Sequence, residues 1–191
     1  MTNFNRLFSI NFDKNKRPKK QVKFIIIHYT GMQSKVEAIK RLCNPKSKVS
    51  CHYLIDRTGK IKKIVSEEFS AWHAGKSSWK RVKSLNKSSI GIELVNPGHN
   101  FIYSKFSKRQ IQSLIKLLKK LILKYKVLAS NIVGHSDIAP LRKKDPGEKF
   151  PWKKLASSKI GIWHKLTYEE LKINRKKKVH KNEKILFFKY I

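Results

Sequence analysis

The sequence predicts a single α/β domain built on a mixed central β-sheet flanked by helices. Three observations predict it. Short aliphatic runs (Val22 to Ile27, Ser89 to Val95, Ile132-Val133) alternate with segments of helical period, as strands joined by helices do. Residues 107–126 keep one apolar face through Ile111, Leu114, Ile115, Leu118, Leu121, Ile122 and Tyr125, the mark of a long helix packed on a sheet. The runs 49–56 and 61–65 flank Asp56-Arg57-Thr58-Gly59, a hairpin turn. A chain of 191 residues buries roughly 70% of its unfolded surface as one domain, so a sizeable core is available.

Taken in order, residues 1–20 are polar and basic, end at Pro18 and a lysine pair, and read as a flexible arm. Val22 to Ile27 is a buried strand, with His28-Tyr29-Thr30-Gly31 at its carboxyl end. Ser34 followed by Glu37 is a capping box that opens a helix through Leu42, stopped by Asn44-Pro45. After the hairpin, Ala71-Trp72-His73-Ala74-Gly75 has no period and reads as loop. In the strand 89–95, Ile90, Ile92 and Leu94 point one way while Gly91, Glu93 and Val95 point the other. Ser107 and Gln110 cap the long helix. The strand Ile132-Val133 then delivers His135 and a proline-broken basic loop ending in Lys143-Lys144-Asp145-Pro146-Gly147. Ile160 to Trp163 closes the domain, giving boundaries of 1–20 for the arm, 21–166 for the folded domain and 167–191 for a basic tail.

Composition narrows function by exclusion. Lys+Arg 45 against Asp+Glu 12 gives a net charge of +33, which attracts any polyanion and therefore selects none. No reading helix, RNP-type aromatic pair or zinc-finger spacing accompanies the charge, so specific nucleic-acid binding is not expected. The longest apolar runs, Phe24 to Ile27 and Ile185 to Phe188, are four residues each, too short to span a membrane. No secretory signal or lipidation cysteine is visible, so a cytoplasmic protein is expected, with the cell envelope as the alternative by a non-standard route. Cys43 and Cys51 read as reduced thiols.

Of seven histidines, His28 and His135 each follow an aliphatic strand segment and are presented at a sheet end, where ligands gather in such folds. His52 cannot share a metal with its neighbour Cys51, because adjacent strand residues face opposite ways. His73 sits in a loop with Trp72 and reads as lining a cleft. His28, His135 and Asp145, with water in a fourth place, form the best ligand set for a hydrolytic zinc at the carboxyl ends of the strands. Glu93 reads either as a surface carboxylate or as a general base; Lys143 reads either as solvated charge or as an oxyanion clamp. Asp137, two residues after His135, reads either as a partner that orients that ring or, preferred, as a cap of the following turn.

These blocks, IIIHYT at 25–30, SCHYLID at 50–56, AWHAG at 71–75, SSIGIELVNPG at 88–98, VGHSDIAPLRKKDPG at 133–147 and FPW at 150–152, resemble the zinc-dependent N-acetylmuramoyl-L-alanine amidases, the family that includes the peptidoglycan recognition proteins. The resemblance implies His28, His135 and Asp145 as zinc ligands, Glu93 and Lys143 as catalytic residues, and Trp72, His73 and Asn96 along the substrate groove. It implies hydrolysis of the lactyl–L-alanine amide in peptidoglycan or anhydro-muropeptides, by a monomer. Cys51 stands where the family usually has serine, and a wall-binding module after the domain is not expected.

Overall fold

A computed structural model describes residues 8–176. In chain order, β1 (Phe12–Asp13) precedes β2 (Phe24–Tyr29). Helix α1 (Lys35–Cys43) leads to the hairpin β3 (Tyr53–Ile55) and β4 (Ile61–Lys63). The short strands β5 (Ser70–Ala71), β6 (Ser78–Trp79) and β7 (Val82–Lys83) come before β8 (Ser89–Leu94). Helix α2 (Lys108–Tyr125) returns the chain to β9 (Ile132–Gly134), which runs directly into α3 (His135–Ile138); α4 (Trp152–Ser157) and α5 (Tyr168–Lys176) follow.

The central sheet has five strands in the order β4-β3-β8-β2-β9. Its β3–β8, β8–β2 and β2–β9 pairs are parallel and its β3–β4 pair is antiparallel, so the sheet is mixed as expected. Strand β2 is an interior strand, between β8 and β9, and reads Phe-Ile-Ile-Ile because both of its faces are covered, which removes the usual polar alternation. One face packs Ile25, Ile27, Ile90, Ile92 and Leu94 against Ile111, Leu114, Leu118 and Leu121 of α2. That helix starts at Ser107, whose hydroxyl accepts the Gln110 amide hydrogen at 3.0 Å, and ends at Lys126 in the left-handed conformation (φ 52°). The opposite face holds Phe24, Ile26, Val133 and Ile138 with Ala74, Trp79 and Leu85 from the segment between β5 and β8. Helix α1 begins at the expected serine, Ser34 accepting from the Glu37 amide at 3.1 Å, while the Glu37 carboxylate accepts from the Gln33 amide at 3.1 Å and not from Ser34.

The two ends of the chain depart from expectation. Residues 8–20, read as part of a flexible arm, lie against the domain: β1 pairs antiparallel with β5, and Ser9, Asn11 and Arg17 are buried. The physical reason is Arg17, whose guanidinium donates to the carbonyls of Glu67, Asn86, Lys87 and Ser89 at 2.7–3.1 Å. Tyr168–Lys176, read as tail, is helical; residues 177–191 of that tail lie outside the described residues. Cys43 and Cys51 are free thiols, as expected. Among the described residues no helix is long and apolar enough to cross a membrane.

Candidate metal centre

Strand register builds the site. His28 pairs with Glu93 across β2 and β8, and Ile27 pairs with Gly134 across β2 and β9. Side chains of paired residues share a face, so His28 and Glu93 rise from the same side of the sheet at its carboxyl edge. His135 follows Gly134 and opens the turn α3, which Asp137 caps by accepting the Gly134 amide hydrogen at 2.7 Å. That settles Asp137 as the turn cap.

Asp145 arrives from the other end of the basic loop. The loop folds back because the Ser136 amide donates to the Asp145 carbonyl at 2.8 Å and the Tyr103 hydroxyl donates to the Pro146 carbonyl at 2.7 Å. Gly134 permits the approach: a β-carbon there would sit 2.6 Å from the Pro146 ring. The sequence reading missed Tyr103, and nothing near it in the chain announces a partner in a loop 43 residues away.

The result is a triangle of donor atoms. His28 Nδ1 lies 2.9 Å from His135 Nδ1 and 3.0 Å from Asp145 Oδ2, and His135 Nδ1 lies 3.1 Å from Asp145 Oδ2. All three residues are buried, and among the described residues they form the group able to hold a metal ion. His135 Nε2 faces the Ala74 carbonyl at 3.1 Å; a carbonyl only accepts, so Nε2 bears the hydrogen and Nδ1 presents a lone pair to the triangle. Arg142 Nη2 donates to the same carbonyl at 2.9 Å and fixes it. Burial, then the neighbouring His135, lowers the His28 pKa to about 4, so the ring is neutral and ready to bind metal.

Glu93 stands beside this triangle with one carboxylate oxygen buried and without a protein partner among the described residues. Burial, reinforced by the Asp145 charge, pushes its pKa well up, while the Lys143 charge pulls it back. Lys143 thus acts electrostatically on both Glu93 and His28 from the loop that bears Asp145.

The residues expected along a groove, Trp72, His73 and Asn96, each have partners within the protein. His73 is buried behind His28, its Nδ1 at 3.1 Å from His28 Nε2 and its Nε2 at 3.2 Å from Ser89 Oγ, so both ring nitrogens are engaged within the protein. Asn96 is fully buried; its amide donates to the Ser104 carbonyl and accepts from the Gly98 amide, bracing the loop after β8. Trp72 is half-buried and donates its indole hydrogen to Asp13 of β1 at 2.9 Å. Both His73 ring nitrogens and both Asn96 amide atoms thus have partners within the protein.

Comparison with known proteins places this arrangement in a class. The structure resembles that of AmiD, an N-acetylmuramyl-L-alanine amidase from Escherichia coli solved with anhydro-N-acetylmuramic acid-L-Ala-D-gamma-Glu-L-Lys, with a TM-score of 0.71 and 35% identity over 88% of this chain and 68% of that one. It also resembles AmpDh3 from Pseudomonas aeruginosa, with a TM-score of 0.76 and 32% identity over 98% of this chain and 78% of that one. In sequence, the chain is 40% identical over 157 residues to E. coli AmiD, covering 75% of this chain and 55% of the relative, so it spans little more than half of that protein. It is 31% identical over 176 residues to the 1,6-anhydro-N-acetylmuramyl-L-alanine amidase AmpD of Haemophilus influenzae, covering 83% of this chain and 93% of the relative. The family model for N-acetylmuramoyl-L-alanine amidase matches residues 18–148, and the chain belongs to that family.

Proposed function

We propose that this protein hydrolyses the amide between the lactyl group of N-acetylmuramic acid and L-alanine, using one zinc ion held by His28, His135 and Asp145. The observation that supports it most is the triangle of two imidazole nitrogens and one carboxylate oxygen, 2.9–3.1 Å apart. Four ligands about 2.0–2.1 Å from zinc stand about 3.3 Å apart at the corners of a tetrahedron, so the donors need only a few tenths of an ångström of relaxation. Two nitrogens and one oxygen also suit zinc, with the fourth corner open.

When bound, zinc supplies a Lewis acid for the carbonyl and lowers the pKa of its water from 15.7 to about 7. The chain's own residues do the rest. Glu93, held beside the triangle by β8, takes the proton from the attacking water and returns it to the leaving amine; a carboxyl with its pKa pushed up by burial can serve in both directions. Lys143 places a positive charge where the tetrahedral intermediate becomes anionic. The ligand loop and β8 hold these groups at one sheet edge, so no large rearrangement is needed to assemble them.

A cytoplasmic monomer acting on released muropeptides and an envelope enzyme acting on intact wall differ in substrate form. Digestion of intact sacculi beside soluble anhydro-muropeptides, with and without chelator and with mass spectrometry of the products, tests the bond, the metal and the form together. Products in which the sugar and the L-alanine remain joined would overturn the proposal.

A further inference from the structure

We infer that His73 and Ser89 form a hydrogen-bond chain that holds His28 in the tautomer with hydrogen on Nε2, leaving Nδ1 bare for the metal. The inference rests on the reading of His28 as a ligand and adds two positioning residues that do not touch metal or substrate.

The direction of every bond follows from what each atom can do. The chain ends at the Leu85 carbonyl, which only accepts, and Ser89 Oγ lies 2.6 Å from it, so the hydroxyl hydrogen is committed there. Ser89 Oγ then has only lone pairs for its second neighbour, His73 Nε2, at 3.2 Å; that nitrogen must bear the hydrogen. His73 is buried with only Ser89 Oγ and His28 Nε2 against its ring nitrogens and no carboxylate beside them, so the ring carries one hydrogen, on Nε2, and its Nδ1 is bare. His73 Nδ1 therefore accepts from His28 Nε2 at 3.1 Å, and His28 Nδ1 is left with a lone pair aimed at His135 and Asp145. Without His73, the nearby carboxylate would favour the opposite tautomer, with hydrogen on Nδ1 pointing at Asp145 Oδ2 and blocking metal.

The fold makes room for the device at two points. A β-carbon at Gly91 would overlap the His73 ring, so the ring lies flat against the backbone of β8. The His73 amide donates to Asn86 Oδ1 at 3.1 Å, as does the Ala74 amide at 2.7 Å, fixing the loop that also offers the Ala74 carbonyl to His135. One short segment, His73-Ala74, thus orients both histidines of the triangle, through a side chain for His28 and through a carbonyl for His135.

The test uses Ser89→Ala, which removes one oxygen and leaves the packing nearly intact. Zinc affinity is measured by competition with a chromophoric chelator, and ring tautomers by long-range proton–nitrogen correlation spectra with and without zinc. Wild type should show hydrogen on Nε2 of both His28 and His73 in both states. Ser89→Ala should bind zinc about 10–100-fold more weakly, the usual cost of losing a partner of a metal-bound histidine, and should show mixed tautomers at His73. Ser89→Thr, which keeps the hydroxyl, should recover most of the affinity. Unchanged affinity and tautomers in Ser89→Ala, or hydrogen on His73 Nδ1 in the metal-free wild type, would overturn the inference. Wild type that shows the expected tautomers but ignores zinc would count against the zinc reading and leave the chain of hydrogen bonds standing.

Discussion

His28 and Glu93 are register partners on adjacent parallel strands, so a candidate ligand and a candidate proton carrier are held side by side by backbone pairing alone. That relationship predicts separable effects. Glu93→Gln should leave zinc content unchanged, because Glu93 is not part of the donor triangle. Turnover of muropeptide should fall by about 10²–10⁴, the range for losing a general acid–base group. Thermal stability should hold or rise, since an amide carries less desolvation cost than a carboxylate with one buried oxygen that meets no protein donor among the described residues. Wild-type turnover by this variant would remove Glu93 from the mechanism.

Metal removal should be felt in stability as well as activity. Three buried donors converge at His28, His135 and Asp145, and zinc bound there would add stability as RT ln(1 + [L]/Kd). At free zinc about 100-fold above Kd this amounts to about 2.7 kcal/mol, or roughly 5–10 °C in Tm for a domain of this size. A melting curve that does not move between chelator and zinc would speak against a metal centre here.

The parts of this structure that were legible in the sequence are those written in local chemistry. The capping serines Ser34 and Ser107, the apolar period of α2 and the aliphatic run of β2 each state their structure within a few residues. The triangle was legible because sheet ends present His28 and His135, and a proline-stiffened loop returns Asp145. What stayed hidden depends on distant partners. Strands β5, β6 and β7 are two residues each, too short for any period to show. His73 read as a cleft residue because its loop has no pattern. Its true place is set by Gly91, 18 positions on, which the sequence showed as a gap beside Glu93 without showing what fills it. Asn96 was offered by the resemblance as a substrate contact; the sequence did not show that its amide also braces the loop through Ser104 and Gly98.

Gly91 therefore predicts its own substitution. Gly91→Ala puts a methyl group into the His73 ring, and neither the strand backbone nor a ring hydrogen-bonded at both nitrogens can yield cheaply. The expected cost is about 1–3 kcal/mol in urea unfolding, with weakened zinc affinity because His28 loses its partner. A variant as stable as wild type with normal affinity would show that the ring is free to move.

Arg17 tests whether the start of the chain belongs to the domain. Its guanidinium is buried and donates to four backbone carbonyls between Glu67 and Ser89, and burial lowers its pKa to about 10. Arg17→Met keeps much of the apolar stem but leaves those carbonyls without this donor, at a cost of about 2–4 kcal/mol. Because the Ser89 carbonyl is among them, zinc affinity should fall slightly as well. Proteolysis should then cut residues 8–20 faster than in wild type; equal protection would mean that β1 alone holds the segment.

Glu67 predicts how stability changes in acid. Its carboxylate is nearly buried and accepts hydrogen bonds from Lys124 Nζ at 2.7 Å, from the Tyr125 hydroxyl at 2.5 Å and from the Tyr53 hydroxyl. Burial alone would raise its pKa, but those donors outweigh burial and bring it from 4.5 to about 2. A carboxyl whose folded pKa lies below its unfolded one stabilises the fold fully above the unfolded value, and that contribution is lost as pH falls through the folded one. The window is therefore pH 4.5 to 2, and the ceiling is about 3 kcal/mol, reduced by the solvent exposure of Lys124. Metal-free wild type and Glu67→Gln, unfolded in urea at pH 5 and again near pH 2, should differ: the variant starts less stable and loses less. Asp56, also near 2, contributes equally to both proteins and cancels in the comparison. If both proteins lose the same stability across the window, the Glu67 carboxylate does not hold its three donors in solution.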